Sequence, residues 1–544
     1  MKFSKNMIGL MTLLLTLAVG RFALSEWRSQ PPFGFSVETH QGREELAFWQ
    51  RGDGQRFVFL PSWTQMSEVS LESRGHVYFG SQKLRDGDSC GSLRLEEAYP
   101  SGTTTVTFLR SENLPALFLD TASGSMEHIH QDKENREGGS LRLYDAQGRL
   151  MFRGQVETIK GRGHSSFLYQ QKKPYSLTLT APADLLGMGQ GEKWVLLADA
   201  YDPSHLRNKL VYDFAGELGM AYTPACRWVD VYLNGSYAGL YLLAEKNEIH
   251  PNRVDIDQEG GFLVSLDRGW TTDDPVVGTK GGWSVRIHQS GLPQQQIQSQ
   301  WQQVEDAIRT QDPRLYDWID LDSWARKYLI EEVFSNTDGG RFSQFFYRDG
   351  KDPSGKIYAG PVWDYDLGLS NPATYREFGD IGYRDSRYNL FYANASPNSV
   401  FYSLYQIPSF RAKVEQLYTW EFEPLLKQLP QKAQAYAEAI SAAAEMDSLR
   451  WGTEPPAEQM AQIQDFLVGR REFLSSVWQD NRPYLSVSAR YVDRTMVYYV
   501  NPGETLSQLP QYPGYCWYHS GGDVPVDLNA EVWEGMDIYL GQAQ

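Results

Sequence analysis

Two acidic clusters stand out as residues that could do chemistry: NTDGGRFSQFFYRDG from Asn336 and GPVWDYDLGLSN from Gly360. Asp338 lies in the first, and Asp364 and Asp366 lie in the second. Magnesium or manganese bound to a nucleotide needs a few carboxylates on rigid backbone, and a hydroxyl acceptor needs one more nearby as base or orienter. Three aspartates in two anchored clusters supply both. Asp beside Gly and Asn is also ordinary turn chemistry, the side chain bonding its own backbone, and Asp338, Asp349 and Asp352 fit that reading as well. Trp-Asp-Tyr-Asp is harder to reduce to a turn. Read as the end of an apolar strand, it puts both carboxylates on one face, where like charges repel unless a cation sits between them.

The elements that must position these acids are partly legible. Between the clusters, Phe345 to Tyr347 and then Ile357 and Tyr358 read as two short strands around a charged turn from Asp349 to Gly355. Upstream, KGRGHSSFLYQQKKPYSLTL from Lys160 is a glycine- and hydroxyl-rich turn, two lysines and an alternating strand, able to offer backbone amides and an ammonium to phosphates. No Gly-Lys-Ser or Gly-Lys-Thr opens a helix, so it is not a Walker loop. After a strand from Glu192, Asp202 or Ser204 can cap a helix ending near Gly219. Its packing stripe is Leu206, Leu210, Phe214 and Leu218. Arg207 and Asn208 fall off that stripe, which makes a solvated face or a structural ion pair the ordinary reading for Arg207 and a site role the sharper one. A hairpin turning at Asn234-Gly235 follows and ends at Glu245.

With 544 residues the chain exceeds one ordinary core and implies a large domain with smaller ones. A formal charge of −17 with scattered basic residues excludes a nucleic-acid surface. The aromatic share of 13% fits a β-rich scaffold, with a glycan-binding surface as the alternative. Lys2 and Lys5 ahead of an apolar run from Met7 to Val19, then Ala23-Leu24-Ser25, read as an export signal, with Arg21 leaving a membrane anchor open. Cys90, Cys226 and Cys516 are too few and too far apart for a disulfide framework or zinc site and are expected to be small core residues.

Short alternating runs from Phe33 to Phe118 indicate a β-sandwich. Residues 388 to 480 read as helical, with Phe410, Val414, Leu417 and Tyr418 as a packing stripe. Beyond Pro483 the pattern turns to β again and resembles a small β-grasp surface repeat of bacterial cell-surface proteins.

The ordered series of Arg162-Gly163-His164-Ser165-Ser166, Lys172-Lys173 before Pro-Tyr, Asp-Pro-Ser-x-Leu-Arg-Asn, Tyr-Leu-Asn-Gly-x-Tyr-x-Gly-x-Tyr, a strand-end Glu and Trp-Asp-Tyr-Asp closely resembles the CotH kinase family, relatives of spore coat protein H, over roughly residues 113 to 475. The resemblance implies an atypical protein-kinase-like fold that moves the γ-phosphate of ATP to Ser or Thr of a protein with Mg2+ or Mn2+. It implies Asp338 as the catalytic-loop carboxylate and Asp364, helped by Asp366, as the metal-binding acid. Lys172 or Lys173 would steady the phosphates, Lys173 being preferred because it abuts the strand; Arg162 and Ser166 belong to the phosphate turn, and Arg207 joins the cofactor-binding candidates. Glu245 would be the lysine's ion-pair partner or part of the wall near the adenine. The sequence departs from the family at His164, where Asn is usual, and at the position five residues after Asp338, where kinases carry a metal-binding Asn and this chain has Ser343, then Gln344.

The expected architecture is α+β: a signal or anchor (1–25), a β-sandwich (26–112), a CotH kinase-like domain (113–480) and a small C-terminal β module (484–544). The expected partners are a nucleotide and an exported or surface protein bearing Ser or Thr, outside the cell or at its surface, with cell-wall association. Because ATP is scarce there, a catalytically silent surface scaffold that keeps the fold is the competing expectation.

Overall fold

Aromatic and β-branched residues at two-residue spacing build the first module. The computed structural model describes residues 33–101, 104–267, 274–336, 342–373, 390, 399–454, 456–479, 485–491, 495–500, 502–507 and 509–543. The export segment and Asp338 lie outside the described residues. Strands β1 (Phe33–Thr39), β2 (Gly42–Leu46) and β5 (Val69–Ser73) form one sheet in the order β2-β1-β5. Strands β3 (Trp49–Gln50), β4 (Arg56–Leu60), β8 (Ala98–Ser101) and β9 (Thr104–Arg110) form a second, ordered β3-β4-β9-β8, and β6 (Val77–Phe79) pairs with β7 (Gln82–Leu84). Phe35 of the first sheet meets Phe108 of the second edge to face at 5.1 Å, inside a shared core.

The next seven strands close into a barrel, which the sequence reading did not anticipate. They are β10 (Ala116–Thr121), β11 (Arg136–Tyr144), β12 (Leu150–Gly161), β13 (Tyr175–Asp184), β14 (Gln190–Leu197), β15 (Cys226–Leu233) and β16 (Ser236–Glu245). Their order is β10-β11-β12-β13-β14-β16-β15, and the seam is the parallel pairing of β15 with β10, from Ala116 opposite Asp230 to Leu119 opposite Leu233. Closure leaves no unpaired edge. Leu119, Leu143, Ile159, Leu177, Trp194 and Leu243 help fill the interior. Asn234 (φ 49°) and Gly235 (φ 77°) are both left-handed, as the tight β15–β16 hairpin requires.

A five-stranded antiparallel sheet carries the second half of the site: β17 (Phe262–Leu266), β18 (Val276–Gly278), β19 (Ser284–Ser290), β20 (Gln344–Arg348) and β21 (Tyr358–Ala359), ordered β18-β19-β17-β20-β21. The expected strand pair between the acidic clusters is β20 and β21. Helix Gln294–Thr310 and helix Leu321–Val333 cover this sheet, Trp301 and Trp324 both packing on Phe346 (5.1 and 4.7 Å). Helices Pro408–Leu417, Leu429–Trp451 and Pro456–Trp478 follow, and Phe410, Val414, Leu417 and Tyr418 are buried, as their spacing implied. The chain ends in a sheet of β22 (Leu485–Arg490), β23 (Thr495–Val500), β24 (Tyr515–His519) and β25 (Met536–Gln542), ordered β23-β22-β25-β24 with the central pair parallel. Cys516 on β24 is exposed, correcting its expected place in a core; Cys90 and Cys226 are buried. Among the described residues no helix is long and apolar enough to cross a membrane.

Asp230 sits fully buried where barrel and first module meet. The Ser111 hydroxyl donates to one of its carboxylate oxygens and the Tyr237 hydroxyl to the other at 3.2 Å. Burial pushes its pKa from 3.8 up to about 7 against those two bonds. The folded chain therefore takes up a proton that the unfolded chain has lost between those two values, so this stabilisation is full below about pH 4 and disappears as pH rises to about 7. Urea unfolding across that window should show a stability slope worth a few kcal/mol. Asp230→Asn should flatten it, and an unchanged slope in that variant would refute the assignment.

Candidate active site

The loop from Gly360 to Leu369 carries Asp364 and Asp366, and it is not the strand end expected from alternation. Asp364 takes a left-handed φ of 69°, uncommon for a residue with a side chain. That twist sends the two aromatic neighbours to different anchors instead of one strand face. Trp363 stacks on Tyr212 (5.9 Å) and lies under the guanidinium of Arg162 at 5.2 Å. Tyr365 enters the core, where its hydroxyl donates to Glu331 and accepts from Lys327 Nζ at 3.0 Å. Lys327 and Glu331 are a fully buried pair on one helix, 2.6 Å apart. Asn336, at the start of the first acidic cluster, donates to Glu331 (3.0 Å) and to the carbonyl of Asp364 (3.3 Å). The two clusters thus share one buried peg.

The helix Arg207–Glu217 holds the loop from the other side. Tyr212 Oη accepts from the backbone N–H of Asp364 (3.3 Å), and Asn208 Oδ1 accepts from that of Tyr365 (2.8 Å). Arg207 is fully buried, so of its two ordinary readings the structural ion pair holds and the solvated helix face does not. It pairs with Asp202 and donates through Nε to the carbonyl of Gly368 (3.1 Å). Its place among the cofactor-binding candidates becomes a positioning one, because its donors are spent inside the protein.

Beside Asp364 stand Ser343 and Asp267. The pairing of Leu266 with Gln344 brings the end of β17 next to the start of β20. Ser343 donates its N–H to Asp267 (2.8 Å) and its hydroxyl to Asp364 (3.0 Å). Burial raises the pKa of Asp364; Arg162 and the Ser343 bond pull it back, and Asp267 adds to the rise. Burial lowers the pKa of Arg162, and the nearby Asp364, Tyr212 and Asp366 offset this only in part. Asp267 was missed in the sequence, where a lone Asp after an apolar strand carries no signal. Gln344, the neighbouring metal-ligand candidate, is buried with neither amide atom bonded. By strand alternation it shares the face on which Phe346 meets the tryptophans.

The remaining candidates divide. Ser166 is the second residue of the short helix Ser165–Tyr169 that follows the Arg162 turn, and a Cβ on Gly163 (φ 77°) would come within 2.5 Å of its Oγ, so the turn needs that glycine. Lys173 Nζ donates to the carbonyl of Phe167 (2.5 Å) and thus braces the turn. Lys172 is buried: it pairs with Asp447 (2.6 Å) and donates to the carbonyl of Leu240 (2.6 Å), with His205 Nε2 3.3 Å from the other Asp447 oxygen. Lys172 ties helix Leu429–Trp451 to the barrel, in space left by Gly239, where a Cβ would lie 2.2 Å from Asp447 Oδ1. A phosphate role for Lys172 is corrected accordingly. Glu245 pairs with Arg253 (2.6 Å), not with a lysine.

Residues 159–474, more than half of the chain, match the family described as CotH kinase protein. The chain belongs to this family. No curated protein matches it. The family span opens at the end of β12, so it includes the Arg162 turn and every described site residue, and leaves out the first module and the terminal sheet.

Among the described residues no three His, Cys, Asp or Glu side chains are grouped to hold a metal ion. The donor set is smaller and all oxygen: Asp364, Ser343 and Asp267, with Asp366 near Arg162. That chemistry fits a hard divalent ion that keeps phosphate and water as its other ligands.

Lys327→Met should cost about 3–5 kcal/mol, because it leaves Glu331 buried without its cation. Adding Glu331→Leu should recover part of that loss. Equal denaturant midpoints for the single and double variants would show that the pair is not the peg.

Proposed function

We propose that this chain transfers the γ-phosphate of ATP to Ser or Thr hydroxyls of an exported or surface protein, with Mg2+ or Mn2+, through an atypical kinase-like domain. The observation that carries the reading is the Arg162 guanidinium of the glycine-rich turn lying over the Trp363 ring at 5.2 Å, which sets a cation beside the half-buried Asp364 and Asp366. Membership in the CotH family supports the same reaction class.

In this reading Asp364 holds the metal with Ser343 and Asp267 beside it, and the bound ion neutralises charge on the phosphates. Arg162 faces the phosphate chain from the barrel side, fixed by the ring of Trp363. Asp338 orients the acceptor hydroxyl, a role that rests on its motif and on the anchoring of Asn336 two residues earlier. Arg207, Asn208 and Tyr212 keep the Asp364 loop in place.

The test is nucleotide binding and γ-phosphate transfer to protein with manganese or magnesium. Asp364→Ala should lower metal-nucleotide affinity by about a hundredfold or more. Asp338→Ala should abolish transfer while binding stays close to wild type. A wild-type chain that binds no nucleotide would leave a surface scaffold as the function.

A further inference from the structure

A gathering of like charges on the outer wall of the barrel is only partly matched by carboxylates of the fold. Ile159 and Trp194 fill the barrel interior, so alternation turns Lys160 and Lys193 outward. Trp194 lies opposite Glu245 at the end of an antiparallel pairing, so Lys193 and Lys246, each the next residue beyond that pair, leave it side by side. On the adjoining strands Lys160 lies opposite Ser176, and Thr178 lies opposite Lys193. One patch therefore carries Lys160, Lys193 and Lys246 with two hydroxyls between them, and Arg162 stands two residues beyond Lys160.

The carboxylates nearby do not balance these cations. Lys193 pairs with Glu248 at 2.7 Å, and Lys160 lies 3.9 Å from Glu134. Lys246 is exposed and has no hydrogen bond or ion pair within contact distance among the described residues. Burial of its surroundings lowers its pKa; Glu248 offsets this in part, and Lys193, Arg162 and Lys160 lower it further. Like charges on paired strands destabilise each other. In a chain of net charge −17, four cations on one patch that adjoins Asp364 through Arg162 mark a place where an anion belongs.

We propose that Lys246, together with Arg162, grips the phosphate chain of the nucleoside triphosphate, with Lys160 and Lys193 supplying the surrounding positive field. The assignment rests on the phosphotransfer reading above and deepens it. It moves the phosphate contact from the paired lysines to the barrel rim: Lys172 is spent on Asp447 and Lys173 on the Phe167 carbonyl. Lys246 follows directly on Glu245, whose bond to Arg253 and to the N–H of Ala225 (2.8 Å) fixes the strand end that carries it.

The full chain, with Mn2+, is titrated with ATP and separately with inorganic tripolyphosphate, at low and at physiological salt. Wild type should bind both. Lys246→Ala should weaken both by about tenfold or more, with the larger loss at low salt, and Lys246→Arg should stay within about threefold of wild type. Because Lys246 is exposed and repelled by its neighbours, the thermal midpoint of Lys246→Ala should not fall. Lys246→Ala binding both ligands as wild type does, Lys173→Ala alone losing them, or wild type binding ATP but not tripolyphosphate would each overturn the grip and leave phosphotransfer standing. Wild type binding neither ligand would end both readings together.

Discussion

The buried ion pair of Lys327 and Glu331 is the constraint on which the site depends. Two charges taken out of water cost more than their mutual attraction returns unless their remaining hydrogen-bonding capacity is also met. Tyr365 and Asn336 meet it, one from each acidic cluster. The requirement for full satisfaction in the core therefore fixes where the two functional loops leave it. Arg207 repeats this logic from the opposite side through Asp202 and the Gly368 carbonyl. With two buried cations and the acceptors Asn208 and Tyr212 of helix Arg207–Glu217 holding one loop, Asp364 can be kept in a left-handed conformation that its own side chain disfavours.

A second buried knot binds the barrel to the helical layer. Burial and Lys172 would keep His205 neutral, but Asp447 and Asp199 more than offset them and its pKa ends above the usual value. Asp447 stays low despite its own burial because Lys172 and His205 face it. The molecule thus sorts its cations by environment. Those in the interior are matched with buried carboxylates and are structural, whereas the cations of Arg162 and the barrel wall outnumber the carboxylates paired with them. Positive and negative surfaces meet across one half-buried site without cancelling, which is the electrostatic form that the proposed metal–polyphosphate ligand would complete.

Local patterns were legible where local physics decides. The leucine and phenylalanine stripe of helix Arg207–Glu217, the left-handed Asn234-Gly235 hairpin and the β20–β21 pair all follow from spacing and turn chemistry. The reading failed where a distant partner changes what a residue means. Off the packing stripe, Arg207 reads equally as a solvated face or an ion pair, and it is the buried pair because Asp202 and a carbonyl 161 positions away meet it. Trp-Asp-Tyr-Asp alternates like a strand and is a loop because its two aromatics have separate pockets. Barrel closure was invisible for the same reason, since β10 and β15 are separated by the whole run of strands they enclose.

By itself the sequence determined the family, the types of residue brought to the chemistry and the strands and helices that carry them, because ordered motifs and two- or 3.6-residue periods are properties of neighbouring residues. Only the tertiary structure decided which charges are pegs and which remain for a ligand. That choice depends on whether a partner from a remote element removes each group from water, and desolvation is a property of the assembled core.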